Sequence, residues 1–376
     1  MGNIILGKVS IVLLAIVIIS IVGIIGFNST GFFALNNPDE IVVGGIGIFS
    51  GEMAVYGDYM RQGVLMALDE INANGGVKGK KVKVIFEDDV GDPKKAVTVA
   101  EKLISVDKVK YLIHFSGSGS ALAVSPLAEA NKVPMVIGVA SNSKIKYAGD
   151  YTFRTAAADS QQAKQWVNLA KEKYSKPAVL FVNNSWSVGV KDAFIEYYSK
   201  NVFSESMPEG ASDVRAQLYK LKEYSPDVLF LLCYIGDCIS SIKQMNELDL
   251  DVPVVAGDVF VNKQVLEGVG TSAEGFLATK PADGSGKEWE SFKQKFNARY
   301  GKDPDILDAE AYDMMYTLYY ALNSSDFSSE GVKNALYSVN FLGPSGSNSF
   351  DSFGEVDKAF EFVQVKGSKF VPYEAN

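Results

Sequence analysis

The sequence predicts an α/β protein of two similar lobes with parallel-rich sheets, preceded by one N-terminal transmembrane helix. Three observations predict it: β-rich apolar runs alternate with helical stripes from residue 41 onward, one strand unit occurs twice, and residues 9–27 carry no charge. The composition fits that class. With 376 residues, 47% hydrophobic and 22% charged, the chain has globular proportions and length for more than one core. Disorder and a collagen-like chain are excluded. Thirty-six Lys and Arg stand against 45 Asp and Glu, a net charge of −9, and no basic stripe is visible. Nucleic acid is therefore not an expected partner. A single histidine, His114, rules out a multi-histidine metal site and leaves little scope for a histidine relay. Two cysteines make neither a disulfide framework nor a four-cysteine zinc site. No metal or other cofactor is expected.

The first element is the run Val9–Phe27, VSIVLLAIVIISIVGIIGF, with Lys8 before it. Its 19 residues, at about 1.5 Å each in a helix, span roughly 28 Å, the hydrocarbon thickness of a bilayer. The run is long and Ile-rich, and no A-x-A cut site follows, so it reads as a retained anchor rather than a cleaved signal. No cysteine stands there to carry a lipid. Lys8 lies on one side, and Asp39 and Glu40 are the first charges on the other. The positive-inside rule then keeps the N-terminus in the cytoplasm and exports the rest of the chain. Residues 28–39 form a linker.

Beyond it the elements follow in order. Ile41–Phe49 is a β-rich run ending at the Ser50-Gly51 turn, and Tyr56–Asn74 carries Met60, Val64, Leu65, Leu68 and Ile71 at helical spacing until Gly75-Gly76 stops it. Val82–Phe86 is a strand, and Pro93–Ser105 a helix with proline in its first turn. Strand 111–115, helix 121–130 and strand 134–137 come next. The pattern resumes with helix 161–174, strand 178–182, helix 190–198, strand 228–232, helix 239–247 and strands 254–256 and 276–279. Helices 288–300 and 309–322 and a late strand 360–365 complete it. Strands separated by helices imply βαβ units and parallel sheets.

Val133-Pro-Met-Val-Ile-Gly138 and Val252-Pro-Val-Val-Ala-Gly257 are near copies, each preceded by a strand and a helix. Repetition of the whole unit argues for two similar lobes. Ligands of open α/β sheets sit beyond the carboxyl ends of the strands, so two facing lobes would enclose a cleft.

Tyr56-Gly-Asp58, Glu70-Ile-Asn72, Gly75-Gly-Val-Lys-Gly79 and Glu87-Asp-Asp89 with Asp92-Pro93 resemble the branched-chain (Leu/Ile/Val) amino-acid binding proteins. These are type I periplasmic solute-binding proteins of ABC transporters. The likeness continues through Phe153-Arg154-Thr155, Leu221-Lys222, Pro226-Asp227, Ala273-Glu-Gly275 and Tyr300-Gly301. It implies two Rossmann-like lobes joined by a three-crossover hinge, with 40–157 and 282–345 in one and 158–281 and 346–376 in the other. It implies a binding protein, not an enzyme. An aliphatic amino acid would be held between the lobes by hinge closure and delivered to an ABC permease with its ATPase subunits. An extracellular sensing domain of a receptor uses the same fold, but only seven residues precede Lys8, too few for a cytoplasmic output domain. An amide or a short peptide remains open as ligand.

The resemblance also implies site residues. Ser118, in Gly117-Ser-Gly-Ser120, matches the hydroxyl that binds the ligand's carboxylate, where helix N-terminal amides also attract anions; a capped turn has the same residues. Ser141 corresponds to a second hydroxyl, which contacts the ligand's carboxylate or its ammonium, or else is an exposed loop serine, and Val139 would contribute backbone groups only. Asp258, directly after the strand VPVVAG, would hold the ammonium, or else cap a helix starting near Val261. Tyr56 and Tyr234 would pack over an aliphatic side chain, or simply belong to the core. The family's aromatic residue in the second-lobe loop is Val188 here, with Trp186 two positions earlier, and a first-lobe disulfide found in some members falls on Gly91 and Gly117. Cys233 and Cys238 are either a new disulfide or two buried thiols. His114 closes an apolar strand and reads as packed or hydrogen-bonded, and Asp88, Asp89 and Asp92 as solvated or capping. Phosphate-loop and nucleophile-elbow motifs are missing from the sequence.

Overall fold

The computed structural model describes residues 39–51, 53–282 and 286–374, and two sheets organise them. The first is wholly parallel, in the order β2–β1–β3–β4–β5, from β1 (Glu40–Gly47), β2 (Lys81–Asp88), β3 (Leu112–Phe115), β4 (Met135–Ile137) and β5 (Thr152–Arg154). The second contains β6 (Pro177–Val182), β7 (Phe203–Met207), β8 (Val228–Leu232), β9 (Val254–Ala256) and β10 (Leu277–Pro281), parallel in the order β7–β6–β8–β9–β10. The hairpin β13 (Phe360–Lys366) and β14 (Lys369–Pro372) extends it antiparallel beyond β10. Both parallel sets repeat the doubly wound order 2-1-3-4-5. The two near-copied hexapeptides run through β4 and β9, the fourth strand of each set, which explains the internal echo.

The strands read as continuous apolar runs because both faces of each sheet are covered. In the first sheet Ile41, Val43, Ile113 and Val136 face one core, and Ile46, Leu112, Met135 and Ile137 the other. Leu180, Leu229, Leu231 and Ala256 divide likewise from Val179, Phe181, Phe230 and Val255 in the second. Eleven helices wrap the sheets among the described residues: α1 (Val55–Ala73), α2 (Pro93–Ser105), α3 (Ser118–Ala130), α4 (Asp159–Lys173), α5 (Ser185–Tyr198), α6 (Arg215–Tyr224), α7 (Ile235–Glu247), α8 (Lys263–Val269), α9 (Lys287–Tyr300), α10 (Ile306–Ser324) and α11 (Ser329–Leu336). After α1 the chain must reverse tightly. Gly76 sits at φ 70°, and a Cβ there would lie 2.0 Å from the Lys80 carbonyl oxygen, so no other residue fits.

Several elements depart from the expectation. Helices α3, α5 and α7 start about one turn earlier, at Ser118, Ser185 and Ile235, where serine or glycine interrupts the apolar spacing. Strand β7 and helix α6 were not foreseen. FSESM is a half-exposed edge strand, and α6 buries only Leu218 and Leu221. Asp92 caps α2 by accepting from the Lys95 N–H at 2.8 Å, whereas Asp89 is fully buried rather than solvated. The run Val9–Phe27 lies outside the described residues. Among the described residues no helix is long and apolar enough to cross a membrane.

The chain passes between the sheets after β5, after β10 and after the hairpin β11 (Asn340–Gly343) and β12 (Gly346–Ser349). A domain boundary at 345/346 would cut that hairpin, whose strands pair only with each other. The crossing segments are stitched together. The Arg154 N–H donates to Gly354 O at 2.8 Å and its guanidinium pairs with Glu355. Gln161 donates to Asp357 at 2.7 Å, and the Ala282 N–H to Ala359 O at 2.9 Å.

Candidate functional site

The carboxyl ends of the two sheets face a shared cavity of about 320 Å³. From the first sheet come Ile48 after β1, Ser116, Gly117 and Ser118 after β3, and Val139, Ala140 and Ser141 after β4; from the second come Tyr234 after β8 and Asp258 after β9. Tyr56, at the start of α1, closes one side. All six residues singled out in the sequence line this one cavity: Tyr56, Ser118, Val139, Ser141, Tyr234 and Asp258.

The first-sheet wall is rich in donors. Helix α3 begins at Ser118 with Gly117 extended before it, and no side chain caps it. Its first amides are thus available to a ligand. Ser118 is buried, and its Oγ accepts from the Asn142 N–H at 3.2 Å, which leaves its own proton to donate. Ser116 was missed by the sequence reading. It lines the cavity with a buried hydroxyl that has no partner, a state expected of a group reserved for a ligand. Beneath this wall, Ser120 donates to Asp89 at 2.5 Å and lies 2.9 Å from His114 Nε2. Because the Ser120 proton is used on Asp89, Nε2 must be the donor. Burial lowers the His114 pKa to about 4, so the ring is neutral. This chain ties the loop after β2 to β3 and α3.

The opposite wall carries the acid. Asp258 opens a short 3-10 turn, Asp258–Phe260, and does not cap the helix that follows: Asn262 caps α8, accepting from the Gln264 N–H at 2.8 Å. The Asp258 side chain instead accepts from Gln162 Nε2 at 3.3 Å. Burial holds its pKa above the usual carboxylate range, opposed by Gln162 and by the backbone N–H groups of Asp258 and Val259. The Tyr56 and Tyr234 hydroxyls are pushed up, first by burial, and stay protonated as donors. Trp186, not Val188, lines the cavity, and its ring stacks on Tyr234 at 5.4 Å and 26°. The aromatic surface expected from the second-lobe loop is thus supplied two residues earlier. Tyr59, Trp289, Asp305 and Ile306 also line the cavity. No motif marked them, since the last three return to the site from far along the chain. Cys233 and Cys238 form a disulfide, which decides between the two readings of that pair.

Facing parallel sheets with one polar-ended, aromatic-walled cavity at their carboxyl ends define a ligand-binding protein of the two-sheet class. The family model described as periplasmic binding protein matches residues 40–369; the chain belongs to that family. It is 30% identical to Leu/Ile/Val-binding protein homolog 3 of Brucella melitensis over 266 residues, 69% of this chain and 72% of the relative. Among solved structures, a leucine-binding protein of Thermotoga maritima superposes with a TM-score of 0.82 at 25% identity, covering 89% of this chain and 98% of the other. A branched-chain amino acid transporter substrate-binding protein of Streptococcus pneumoniae, in complex with isoleucine, gives 0.78 at 25% identity, covering 88% and 97%.

Proposed function

We propose that the chain is the extracytoplasmic substrate-binding protein of an ABC transporter and binds an aliphatic amino acid in this cavity. The observation that carries the reading is the polarity of the cavity: uncapped helix amides and the Ser118 hydroxyl on one wall, and the Asp258 carboxylate on the other. A zwitterion matches that arrangement, its carboxylate toward Ser116, Ser118 and Ser141 and its ammonium toward Asp258. Tyr56, Tyr234 and Trp186 supply the surface for an aliphatic side chain. The names of the relatives support the same ligand class. The three crossings between sheets support a division into two lobes that close on the ligand, with the third boundary near 350 rather than 345. The charge-free run of residues 9–27 supports attachment to the membrane, beside the permease and ATPase subunits that would receive the ligand.

Calorimetry of the full-length chain in detergent with L-leucine, L-isoleucine, and the deaminated analogue 4-methylpentanoate tests the reading. Binding of the amino acids, with a smaller radius of gyration by scattering, is expected. Tighter binding of the analogue than of either amino acid would overturn it.

A further inference from the structure

The Cys233–Cys238 disulfide closes a short ring around two residues of the cavity wall. Cys233 follows β8 directly and Cys238 lies in the first turn of α7; both are buried. Between them stand Tyr234 and Ile235, which face the cavity, then Gly236 and Asp237. The other restraints on this turn are non-covalent: the buried Asp237 carboxylate accepts from the backbone N–H groups of Tyr234, Gly210 and Ala211. No side chain caps α7 at Tyr234. A Cβ added at Gly236 would meet nothing within 4 Å, so packing does not hold the backbone there. Beside these stand the first helical bond, from the Cys238 N–H to Tyr234 O at 2.8 Å, the Asn184 side chain bonded to the Tyr234 hydroxyl, and the stack of Tyr234 on Trp186; the disulfide is the covalent restraint among them.

We propose that the Cys233–Cys238 disulfide is a positioning element of the binding site, fixing the strand-to-helix turn so that Tyr234 and Ile235 form a preformed apolar wall for the ligand's side chain. The proposal rests on the amino-acid reading given above. A crosslink over so few residues removes less freedom from the unfolded chain than one closing a long loop, so its effect is concentrated on the turn. A wall ordered before binding does not have to be ordered by the ligand, and affinity rises accordingly. The effect is selective, because only a ligand whose side chain reaches the wall depends on it.

The test compares the full-length chain with C233A/C238A, using L-leucine and L-alanine as probes in calorimetry. L-Leucine affinity is expected to fall about tenfold or more, and L-alanine affinity by less than about threefold. Equal losses for the two amino acids, or an L-leucine affinity within threefold of the original, overturn the proposal. Should the double variant fail to fold, the original chain refolded with its thiols reduced and checked by mass spectrometry takes its place, with the same expectations. Amide exchange without ligand separates this proposal from the functional reading: exchange at positions 235–238 is expected to quicken at least tenfold when the crosslink is absent. Unchanged exchange overturns the positioning role, whereas a chain that binds neither amino acid but shows quickened exchange overturns only the functional reading.

Discussion

Gln162 and Asp258 are joined by a hydrogen bond of 3.3 Å, and the same Gln162 nitrogen donates to Thr279 Oγ1 at 2.9 Å. Thr279 is held in turn by the Trp166 indole N–H at 3.0 Å. The acid of the cavity is therefore oriented through a buried chain that starts at Trp166, in a core of the second sheet. A neutral amide orients a carboxylate without neutralising it, so the charge stays available to a cationic ligand group.

Replacing Gln162 by Leu keeps the volume and removes both donors. Affinity for L-leucine is expected to fall about tenfold, and the ligand-free chain to lose on the order of 1–2 kcal/mol as Thr279 loses a buried partner. Burial raises the Asp258 pKa and Gln162 opposes that rise. Amino-acid affinity should therefore weaken as pH falls and Asp258 takes a proton, and in the variant this weakening should begin at a higher pH. Titration calorimetry across pH reads both effects; an unchanged pH profile would sink the orienting role.

Asp159 offers a pH-dependent stability test. It is almost fully buried at the start of α4, and burial raises its pKa to about 8, offset in part by Ser141 and Arg154. The folded chain thus holds this proton more tightly than the unfolded one. Between the unfolded value, about 4, and the folded one, the unfolded state binds fewer protons, so stability falls as pH rises. Asp159→Asn has no charge to lose. It should be on the order of 1–3 kcal/mol more stable than the original chain near pH 8–9 and close to it at pH 5. Chemical denaturation at both pH values decides, and an equal difference at the two would count against ionisation.

Gly189 marks a tight junction between the two sheets' helices and loops. A Cβ there would lie 2.5 Å from both Asn142 Nδ2 and Asp159 Oδ2, and Asn142 also donates to Ser185 O at 2.5 Å. Alanine improves the helix intrinsically by about 1 kcal/mol, but overpacking costs about 1–3 kcal/mol. Gly189→Ala should therefore destabilise the chain or be neutral, and weaken ligand binding by spreading the walls at Asn142. A variant that melts later and binds as before would show that the junction relaxes freely.

Much of this was legible in the sequence. Apolar alternation exposed the parallel strands because both faces of each sheet are buried, and the repeated VPxV unit exposed the two-fold plan because both copies serve as the fourth strand. Ser118, Ser141 and Asp258 were named by the family resemblance together with their places after expected strands, and all three line the cavity. Trp289 and Asp305 were not, since their only mark is a position in space reached through long connections, and Ser116, which directly follows β3, carries no motif that sets it apart from Ser118 two residues on. Asp89 looked like a solvated loop acid. Its burial depends on Ser120 and His114, which local patterning does not connect to it.

Asp258 carries the sharpest consequence. It faces the cavity from the end of β9, across from Ser118 and Ser141, and its oxygens have neutral partners in Gln162 and the backbone. An ammonium group would complete the charge that burial disfavours, and truncating one member of such a pair costs roughly 2–5 kcal/mol, because the other charge is left buried and unpaired. Asp258→Asn keeps the shape and removes the charge. L-Leucine affinity should fall about 30-fold or more at 1.4 kcal/mol per decade. Affinity for 4-methylpentanoate, which has the same side chain and carboxylate but no ammonium, should fall far less or improve, since the repulsion between two carboxylates disappears. Calorimetry of both ligands against both proteins gives the comparison directly. Equal losses for the two would mean that Asp258 shapes the turn after β9 and does not read the ligand's ammonium, and the amino-acid assignment would lose its strongest support.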